Sequence, residues 1–222
     1  MDMKSDHARK RLPAGERKRI ILEAAMRTFV EYGYHGALMD TIAERAQVTK
    51  PILYRHFPSK MALLLALLDS AGECLLESLL EPMGSVADWR TAIRHHVRSY
   101  FDFVKNSAMP YRLIYSTDLN VNQEISERLT LIRNQIIALV ADHIRFFIDT
   151  AKINDEDIEV TAVILVGMAE TAAERWMADE HIPLEVYERN LIKALTNILA
   201  ALPGRADQAA DLKRKGDAHA RS

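Results

Sequence analysis

A short stretch in the first quarter of the chain carries the side chains best suited to chemistry, and that chemistry is recognition of a polyanion. Lys50 and Lys60 supply positive charge there, and Thr49, Tyr54 and His56 supply hydrogen-bond donors. Phosphate oxygens are the acceptors that such a set of side chains fits. Lys50 also begins a predicted helix, the position from which recognition helices contact base edges.

Two short helices are predicted to position these side chains, over residues 39–47 and 50–57. A turn of three to four residues between short helices is typical of a helix-turn-helix. Leu53 and Phe57 lie four residues apart, so they share one face and anchor the second helix. Pro51 fits the first turn because the N–H that it lacks would have no partner there. A short helix with a solvated basic face in an ordinary bundle is the alternative interpretation.

The charge distribution favours a polyanion as partner. The 222 residues carry a net charge of −2, but residues 1–60 hold 12 basic and 7 acidic side chains. The remaining chain holds 17 basic and 24 acidic side chains. A basic N-terminal part joined to an acidic body indicates that one end of the protein meets nucleic acid.

The whole chain is predicted to be all-α, with about nine helices joined by short connections. We expect a flexible basic arm at 1–14, a three-helix head with the helix-turn-helix at 15–60, a body for ligand binding and dimerisation at 61–203, and a polar tail at 204–222. Gly33 is expected to stop the first helix, and Ser59 and Ser85 are expected to cap the fourth and fifth.

Several classes of protein are disfavoured. The longest apolar runs are eight residues, whereas a membrane span needs about 20. The first residues are polar, unlike those of a signal peptide, and the single cysteine, Cys74, cannot form an internal disulfide. Both features indicate a reducing, cytoplasmic setting. His95 and His96 are adjacent, so they point about 100° apart and cannot chelate one metal from one helix face. Glu170 and Glu174 share a helix face but are interpreted as solvated, so neither an enzyme, a metal site nor a cofactor is expected.

Residues 42–60, from Ile42-Ala43-Glu44-Arg45-Ala46 to His56-Phe57-Pro58-Ser59-Lys60, resemble the signature of the TetR family of transcriptional regulators. Upstream, Ala25 to Phe29 and the run Tyr32-Gly33-Tyr34 fit the same family, and the resemblance covers Arg17 to Leu68. It implies a DNA-binding head, a variable helical body, and a homodimer that binds a palindromic double-stranded operator.

The resemblance also implies roles for individual residues. Two would lie against bases, Lys50 and Pro51. Four would hold phosphates: Thr49, Tyr54, His56 and Lys60. Two would approach the DNA backbone, Met39 and Thr41.

Two positions depart from the family pattern. Gln47 stands in the turn where the family often has Gly, and Leu38 stands where it often has Ser or Thr. Loss of a hydroxyl cap typically costs about 1 kcal/mol. Asp40, in the first turn of the same helix, can partly compensate through the helix dipole.

The body has aromatic and apolar side chains that suit a pocket for a small hydrophobic effector between helices. The candidates for ligand binding are Tyr100, Phe103, Tyr111, Tyr115, Ile136, Met168 and Trp176. Plain core packing is the alternative for each of them. The last two long helices are apolar on more than one side, which predicts that they form the homodimer interface.

A weaker resemblance narrows the effector. The segments 99–104, 111–115 and 166–168 are similar to the body of TetR-family regulators of fatty-acid synthesis, which respond to long-chain acyl-CoA. The sequence therefore predicts a ligand-responsive DNA-binding regulator, with repression as the family default. The alternative is a helical interaction or ligand-binding protein without specific DNA binding.

Overall fold

The structure is a computed structural model that describes residues 13–80, 88–115, 122–147, 152–179 and 181–202. Over these ranges the chain forms nine α-helices and no strand, so the predicted all-α class is confirmed. Among these helices, none is both long and apolar enough to cross a membrane. Apart from residues 13 and 14, the predicted arm and tail lie outside the described residues.

The first four helices build the head and its connection to the body. They are α1 (Ala14–Gly36), α2 (Met39–Arg45), α3 (Lys50–His56) and α4 (Lys60–Leu79). Their shared core is apolar: α1 packs against α2 and α4, and α2 packs against the short α3. Its fully buried members include Ile21, Ala25, Ile42, Leu53 and Leu63. The helix-turn-helix therefore folds as one unit with α1.

Five helices form the body. They are α5 (Trp89–Asn106), α6 (Ala108–Tyr115), α7 (Gln123–Phe147), α8 (Asp155–Ala178) and α9 (Leu184–Ala201). The contacts of α6 with both α1 and α4 join the body to the head.

Local signals explain most of the helix ends. Gly33 adopts φ 66°, a left-handed conformation that favours glycine, and α1 is kinked there before one further turn. Ser59 accepts a hydrogen bond from the backbone N–H of Ala62 at 3.0 Å, as predicted for the cap of α4. The Ser85 cap was a wrong prediction, because α5 begins at Trp89 and the carboxylate of Asp88 caps it.

The helices α4 and α7 approach each other closely at Gly72. A Cβ atom on Gly72 would lie 3.0–3.1 Å from three side-chain carbons of Ile132. A Cβ atom here would require the Ile132 side chain to move by a few tenths of an ångström, so glycine suits this close separation of the two helices. The connecting helix α4 is therefore held against the body near its middle.

Candidate nucleic-acid interface and ligand chamber

The second helix of the helix-turn-helix, α3, presents one face to the core and the other to solvent. Leu53 is fully buried and Phe57, just after the helix, is nearly so, as the spacing predicted. Pro51 and Arg55 are exposed, and the side chain of Tyr54 is 46% exposed. The exposed face therefore offers a cation and a phenol hydroxyl to a ligand outside the protein.

Lys50 lies at the N-terminal end of α3 and forms an ion pair with Asp40 of α2. The distance between Lys50 Nζ and Asp40 Oδ2 is 2.6 Å, and both side chains are more than half exposed. Exposed pairs of this kind contribute about 0–1 kcal/mol. Lys50 can therefore exchange its carboxylate partner for a base edge at small cost.

Lys60 has a structural position that competes with its predicted role. Its ammonium donates to the carbonyl oxygens of Tyr34 at 2.7 Å and Ala37 at 3.0 Å, and lies 4.6 Å from the ring centroid of Tyr34. A weaker contact reaches the carbonyl of His35 at 3.4 Å. Three donors and three acceptors leave no N–H for a phosphate. We therefore leave Lys60 out of the proposed DNA contacts.

The remaining residues predicted to contact DNA differ in burial: Met39, Thr41, Thr49 and His56. The side chain of Met39 belongs to the core, so only its backbone faces outward. Thr49 is exposed and Thr41 is half-buried. The Nε2 atom of His56 is buried and has no hydrogen-bond partner in the part of the chain that the structure describes. Burial, together with the nearby cations, lowers the pKa of His56, so the ring is uncharged at neutral pH.

The body contains an apolar chamber of about 140 Å³ between α5, α7, α8 and α9. Aliphatic side chains form most of its wall, among them Leu79, Ile93, Val97, Leu139, Ile144, Leu165, Val166, Leu191 and Leu195. Trp89 and Phe147 contribute aromatic surface. Such a chamber is suited to a hydrocarbon ligand.

Two histidines form one polar group on the chamber wall. The rings of His96 and His143 lie 4.5 Å apart between centroids, closer than the 6.2 Å between His95 and His96. His96 Nδ1 lies 2.7 Å from the carbonyl oxygen of Ala92. Burial lowers the pKa of His96, and burial with the neighbouring His96 ring lowers the pKa of His143 to about 4. Both rings are therefore neutral at pH 7.

The low pKa of His143 predicts acid destabilisation. In the unfolded chain the ring titrates near 6.5, so between about pH 6.5 and pH 4 the unfolded state binds the extra proton. Stability is fully present above that window and is lost as the pH falls through it. Allowing for solvent screening of a half-buried ring, we expect a loss of about 2 kcal/mol.

Urea denaturation at pH 7 and pH 4.5 measures this loss. A His143→Gln variant should lose less stability between the two pH values than the wild type. His181→Gln, which removes a histidine whose side chain is 94% exposed, is the matched control and should behave as the wild type. If the stability of His143→Gln depends on pH as strongly as that of the wild type, His143 is not the cause of the acid destabilisation.

The second polar group lies on the wall that the chamber shares with an outer groove. Tyr115, Ile136 and Glu170 line both the chamber and an outer groove of about 480 Å³. Glu170 Oε2 accepts a hydrogen bond from Arg133 Nη2 at 2.5 Å. Burial raises the pKa of the Glu170 carboxyl, and Arg133 and the Tyr115 hydroxyl oppose that rise. We refer to Tyr115, Ile136 and Glu170 as the doorway.

The predicted ligand residues divide into three groups. Tyr100, Tyr115 and Ile136 line the chamber. Tyr111 stacks on Tyr115 with 4.4 Å between centroids and lines a different groove, of about 550 Å³, between α1, α6 and α8. Phe103, Met168 and Trp176 pack in the core or against it and line none of these three cavities.

Sequence reasoning missed His143 and misjudged Glu170. Glu174 is exposed as expected, but Glu170 is 7% exposed, so the interpretation of Glu170 as solvated was wrong. The spacing of Glu170 and Glu174 did not predict this difference in burial. Residues four apart on one helix can differ in burial where a neighbouring helix covers only one of them. Over the described residues, no group of three or more side chains could hold a metal ion.

Comparison with known proteins decides the family. Residues 21–67 match the family Bacterial regulatory proteins, tetR family, and residues 89–198 match Tetracyclin repressor-like, C-terminal domain. The chain is 32% identical over 170 residues to the HTH-type transcriptional activator FasR of Mycolicibacterium smegmatis, across 77% of this chain and 76% of that protein. The protein belongs to the TetR family.

Solved structures of TetR-like proteins share the fold. A TetR-like transcriptional regulator from Rhodococcus sp. RHA1 superposes with a TM-score of 0.69 at 26% identity, covering 86% of this chain and all of that one. FadR from Bacillus subtilis, solved in complex with stearoyl-CoA, gives a TM-score of 0.68 at 18% identity, over 80% of this chain and 96% of that one. The relatives are transcriptional regulators and not enzymes.

The two departures from the TetR pattern have visible structural consequences. Leu38 is the N-cap of α2 and makes no side-chain capping hydrogen bond. Gln47 adopts φ 54°, and it is the only described non-glycine residue with positive φ. A left-handed conformation costs a residue with a Cβ about 1–2 kcal/mol. The glycine that the TetR family often has in this turn avoids that strain.

A Gln47→Gly variant is therefore expected to be more stable than the wild type. Relief of strain is partly offset because glycine has more freedom in the unfolded chain. We expect a net gain of about 0.5–1 kcal/mol in the free energy of unfolding. Gln47→Ala keeps the strain and serves as the control in urea denaturation. A Gln47→Gly variant that is less stable than Gln47→Ala would show that the turn is not strained.

Proposed function

We propose that this TetR-family protein is a homodimeric regulator whose operator affinity is lowered by an acyl thioester bound in the body, such as a long-chain acyl-CoA. The observation that carries the proposal is the apolar chamber, whose three doorway residues also line the groove beside Arg133. The resemblance of segments 99–104, 111–115 and 166–168 to acyl-CoA-responsive regulators supports this choice of effector. FadR is solved with stearoyl-CoA, although its likeness to this chain extends to the fold alone.

The volumes favour an effector that extends beyond the chamber. An apolar cavity of about 150 Å³ accommodates benzene, so 140 Å³ takes a segment of about six carbon atoms. A longer chain either continues through the doorway into the outer groove or forces the surrounding helices apart. The exposed guanidinium of Arg133 at that groove suits the polar or anionic part of the effector.

The proposed DNA contacts follow from the exposed face of α3. Lys50 and Pro51 are assigned to base edges, and Thr49 and Tyr54 to phosphates. Thr41 and the backbone at Met39 are assigned to the DNA backbone. For His56 we keep only a weaker assignment to phosphate, because its Nε2 atom is turned inward.

The proposed dimer forms through α8 and α9. Val160, Val163 and Ile164 are 48–58% exposed and recur at helical spacing, so they form one apolar stripe on α8. Ile192 and Ile198 on α9, and Leu202 just after it, are half-buried. Covering both faces with a second copy of the chain would remove this apolar surface from water.

The sign of regulation depends on the position of the operator. The family default predicts a repressor, whereas FasR is named an activator. We propose that the effector weakens operator binding in either case, by favouring a dimer whose recognition helices no longer lie about 34 Å apart. Equal effector affinity of the free and operator-bound protein would reject this coupling.

The first experiment is to select genomic DNA on the purified protein, sequence the bound fragments, and repeat at higher salt. We expect a palindromic consensus beside a gene or operon, with affinity that falls as salt rises. Lipid-synthesis genes beside the site would support the acyl thioester. Absence of any consensus would instead favour the alternative, a helical interaction protein without specific DNA binding.

A Lys50→Ala variant tests the assigned recognition helix. We expect operator affinity to fall roughly ten- to a hundredfold and sequence preference to relax, because a base contact is lost. Tyr54→Phe should cost less and act equally on all sequences. Lys105→Ala removes an exposed cation from the body and is the control of equal charge. Unchanged binding by Lys50→Ala in a gel-shift titration would refute the assignment.

A further inference from the structure

Lys50 and Asp40 place opposite charges side by side on the part of the head that is proposed to meet DNA. Lys50 Nζ lies 2.6 Å from Asp40 Oδ2, and the two side chains are 58% and 61% exposed. Lys50 begins α3 and Asp40 lies in the first turn of α2, so the pair joins the two helices of the helix-turn-helix. Both side chains are therefore accessible to a base edge that meets α3.

A carboxylate at this position opposes DNA binding unless it finds a donor. Asp40 lies between Met39 and Thr41, which are both assigned to the DNA backbone in the proposed complex. The nearby phosphates repel a negative charge. The groups of a duplex that can donate to a carboxylate in the major groove are the amino groups of cytosine and adenine. The carboxylate therefore favours a base pair that presents an amino group beside it.

A G·C base pair presents groups that match both charges. Its major-groove edge carries, in order, guanine N7, guanine O6 and cytosine N4, which are two acceptors and one donor. Guanine O6 and cytosine N4 are hydrogen-bonded to each other, about 2.9 Å apart. That separation is close to the 2.6 Å between Lys50 Nζ and Asp40 Oδ2. Because the ammonium has three N–H donors, it can contact N7 and O6 and still keep its bond to Asp40.

Other base pairs match the two charges less well. A T·A pair also has an acceptor beside a donor, thymine O4 beside adenine N6. Its further acceptor, adenine N7, then lies on the carboxylate side and repels it, and the thymine methyl group lies on the ammonium side. A reversed G·C pair would place the ammonium on the amino group and the carboxylate on the acceptors. One base pair in one orientation is thus favoured.

We infer that Lys50 and Asp40 together read one G·C base pair in each operator half-site, with the ammonium on guanine N7 and O6 and the carboxylate on cytosine N4. Asp40 is then a specificity-determining residue for operator recognition. This inference rests on the proposed operator binding through α3, and it adds a base pair that the operator must carry and the orientation of that pair.

Substitution of each base pair in the selected operator locates the contact. By gel-shift titration we expect a G·C pair at which a change to T·A in one half-site lowers the affinity of the wild type about ten- to a hundredfold. At that pair, 7-deazaguanine removes N7 and tests the ammonium. N4-methylcytosine still pairs with guanine but replaces the exposed amino hydrogen by a methyl group, so it tests the carboxylate. Each modified base should lower wild-type affinity about tenfold.

Variants identify the carboxylate that reads cytosine. Asp40→Ala should lose less than twofold with N4-methylcytosine, because the acceptor is gone. It should also bind unrelated DNA more tightly, because a negative charge leaves the interface. A merely structural role of Asp40 would instead lower its affinity for all sequences alike. Glu44→Ala removes an exposed carboxylate one turn further along α2, and it should respond to N4-methylcytosine as the wild type does.

The failures are distinguishable. Wild-type affinity that N4-methylcytosine leaves unchanged at every G·C pair overturns this inference and leaves operator binding intact. An equal loss in Asp40→Ala and in the wild type overturns it as well, because another group then meets the amino hydrogen. Absence of any consensus in the selected DNA overturns the proposed function together with the inference.

Discussion

An Ile164→Asp variant is expected to be monomeric and to lose at least a hundredfold in operator affinity. Ile164 is 49% exposed and belongs to the apolar stripe on α8, so in the proposed dimer it is covered by the partner. An aspartate there would place a charge in an apolar interface without a compensating cation. Two linked heads gain affinity through their effective concentration at the second half-site, and a monomer forfeits that gain.

The measurement combines light scattering after size-exclusion chromatography with gel shifts on the selected operator. Leu131→Asp is the matched control, because Leu131 is 50% exposed but lies on α7, outside the proposed interface. That control should remain dimeric and bind DNA normally. A dimeric Ile164→Asp protein with wild-type affinity would place the interface elsewhere.

An Ala169→Phe variant is expected to bind the operator normally and no longer to respond to palmitoyl-CoA. Ala169 is a small residue on the chamber wall of α8, next to the doorway. A phenyl ring there would occupy most of a volume of about 140 Å³, since a cavity of about 150 Å³ is filled by benzene. We expect effector affinity to fall by about a hundredfold or more, because hydrocarbon burial drives binding.

A graded series separates filling of the chamber from damage to the fold. Ala169→Val should give an intermediate effector affinity, and retained operator binding shows that each variant is folded. The readout is the palmitoyl-CoA concentration that releases half of the bound operator. A wild-type response in Ala169→Phe would show that the effector binds outside the chamber.

The head could be predicted almost to the residue because its signals are local. Gly33 kinks α1 because glycine adopts a left-handed conformation easily, and Ser59 caps α4 because its hydroxyl accepts a backbone hydrogen bond. Each effect depends on the type of a single residue. The cap of α5 was predicted wrongly at Ser85 because local signals can compete. Ser and Asp are equally good N-cap residues, and the sequence has Ser85 and Asp88 close together. The separation of Leu53 from Phe57 likewise predicted the buried face of α3.

The chamber could be predicted only in part because it depends on contacts between distant helices. Tyr100 and Tyr115 line it, whereas Phe103 belongs to the same aromatic run and packs into the core. Periodicity gives the apolar face of a helix but not whether that face meets a neighbour or a void. The pairing of His96 with His143, 47 positions apart along the chain, is invisible to spacing for the same reason.

The contact between Gly72 and Ile132 also gives α4 the geometry of a lever. Gly72 lies seven residues from Leu79, which lines the chamber. It lies twelve residues from Lys60, whose ammonium donates hydrogen bonds to carbonyl oxygens at the end of α1. At 1.5 Å per residue the two arms are about 10 Å and 18 Å long. If α4 rocks as a rigid rod about this fulcrum, a push of about 1 Å at the chamber becomes about 1.7 Å in the opposite direction at the head.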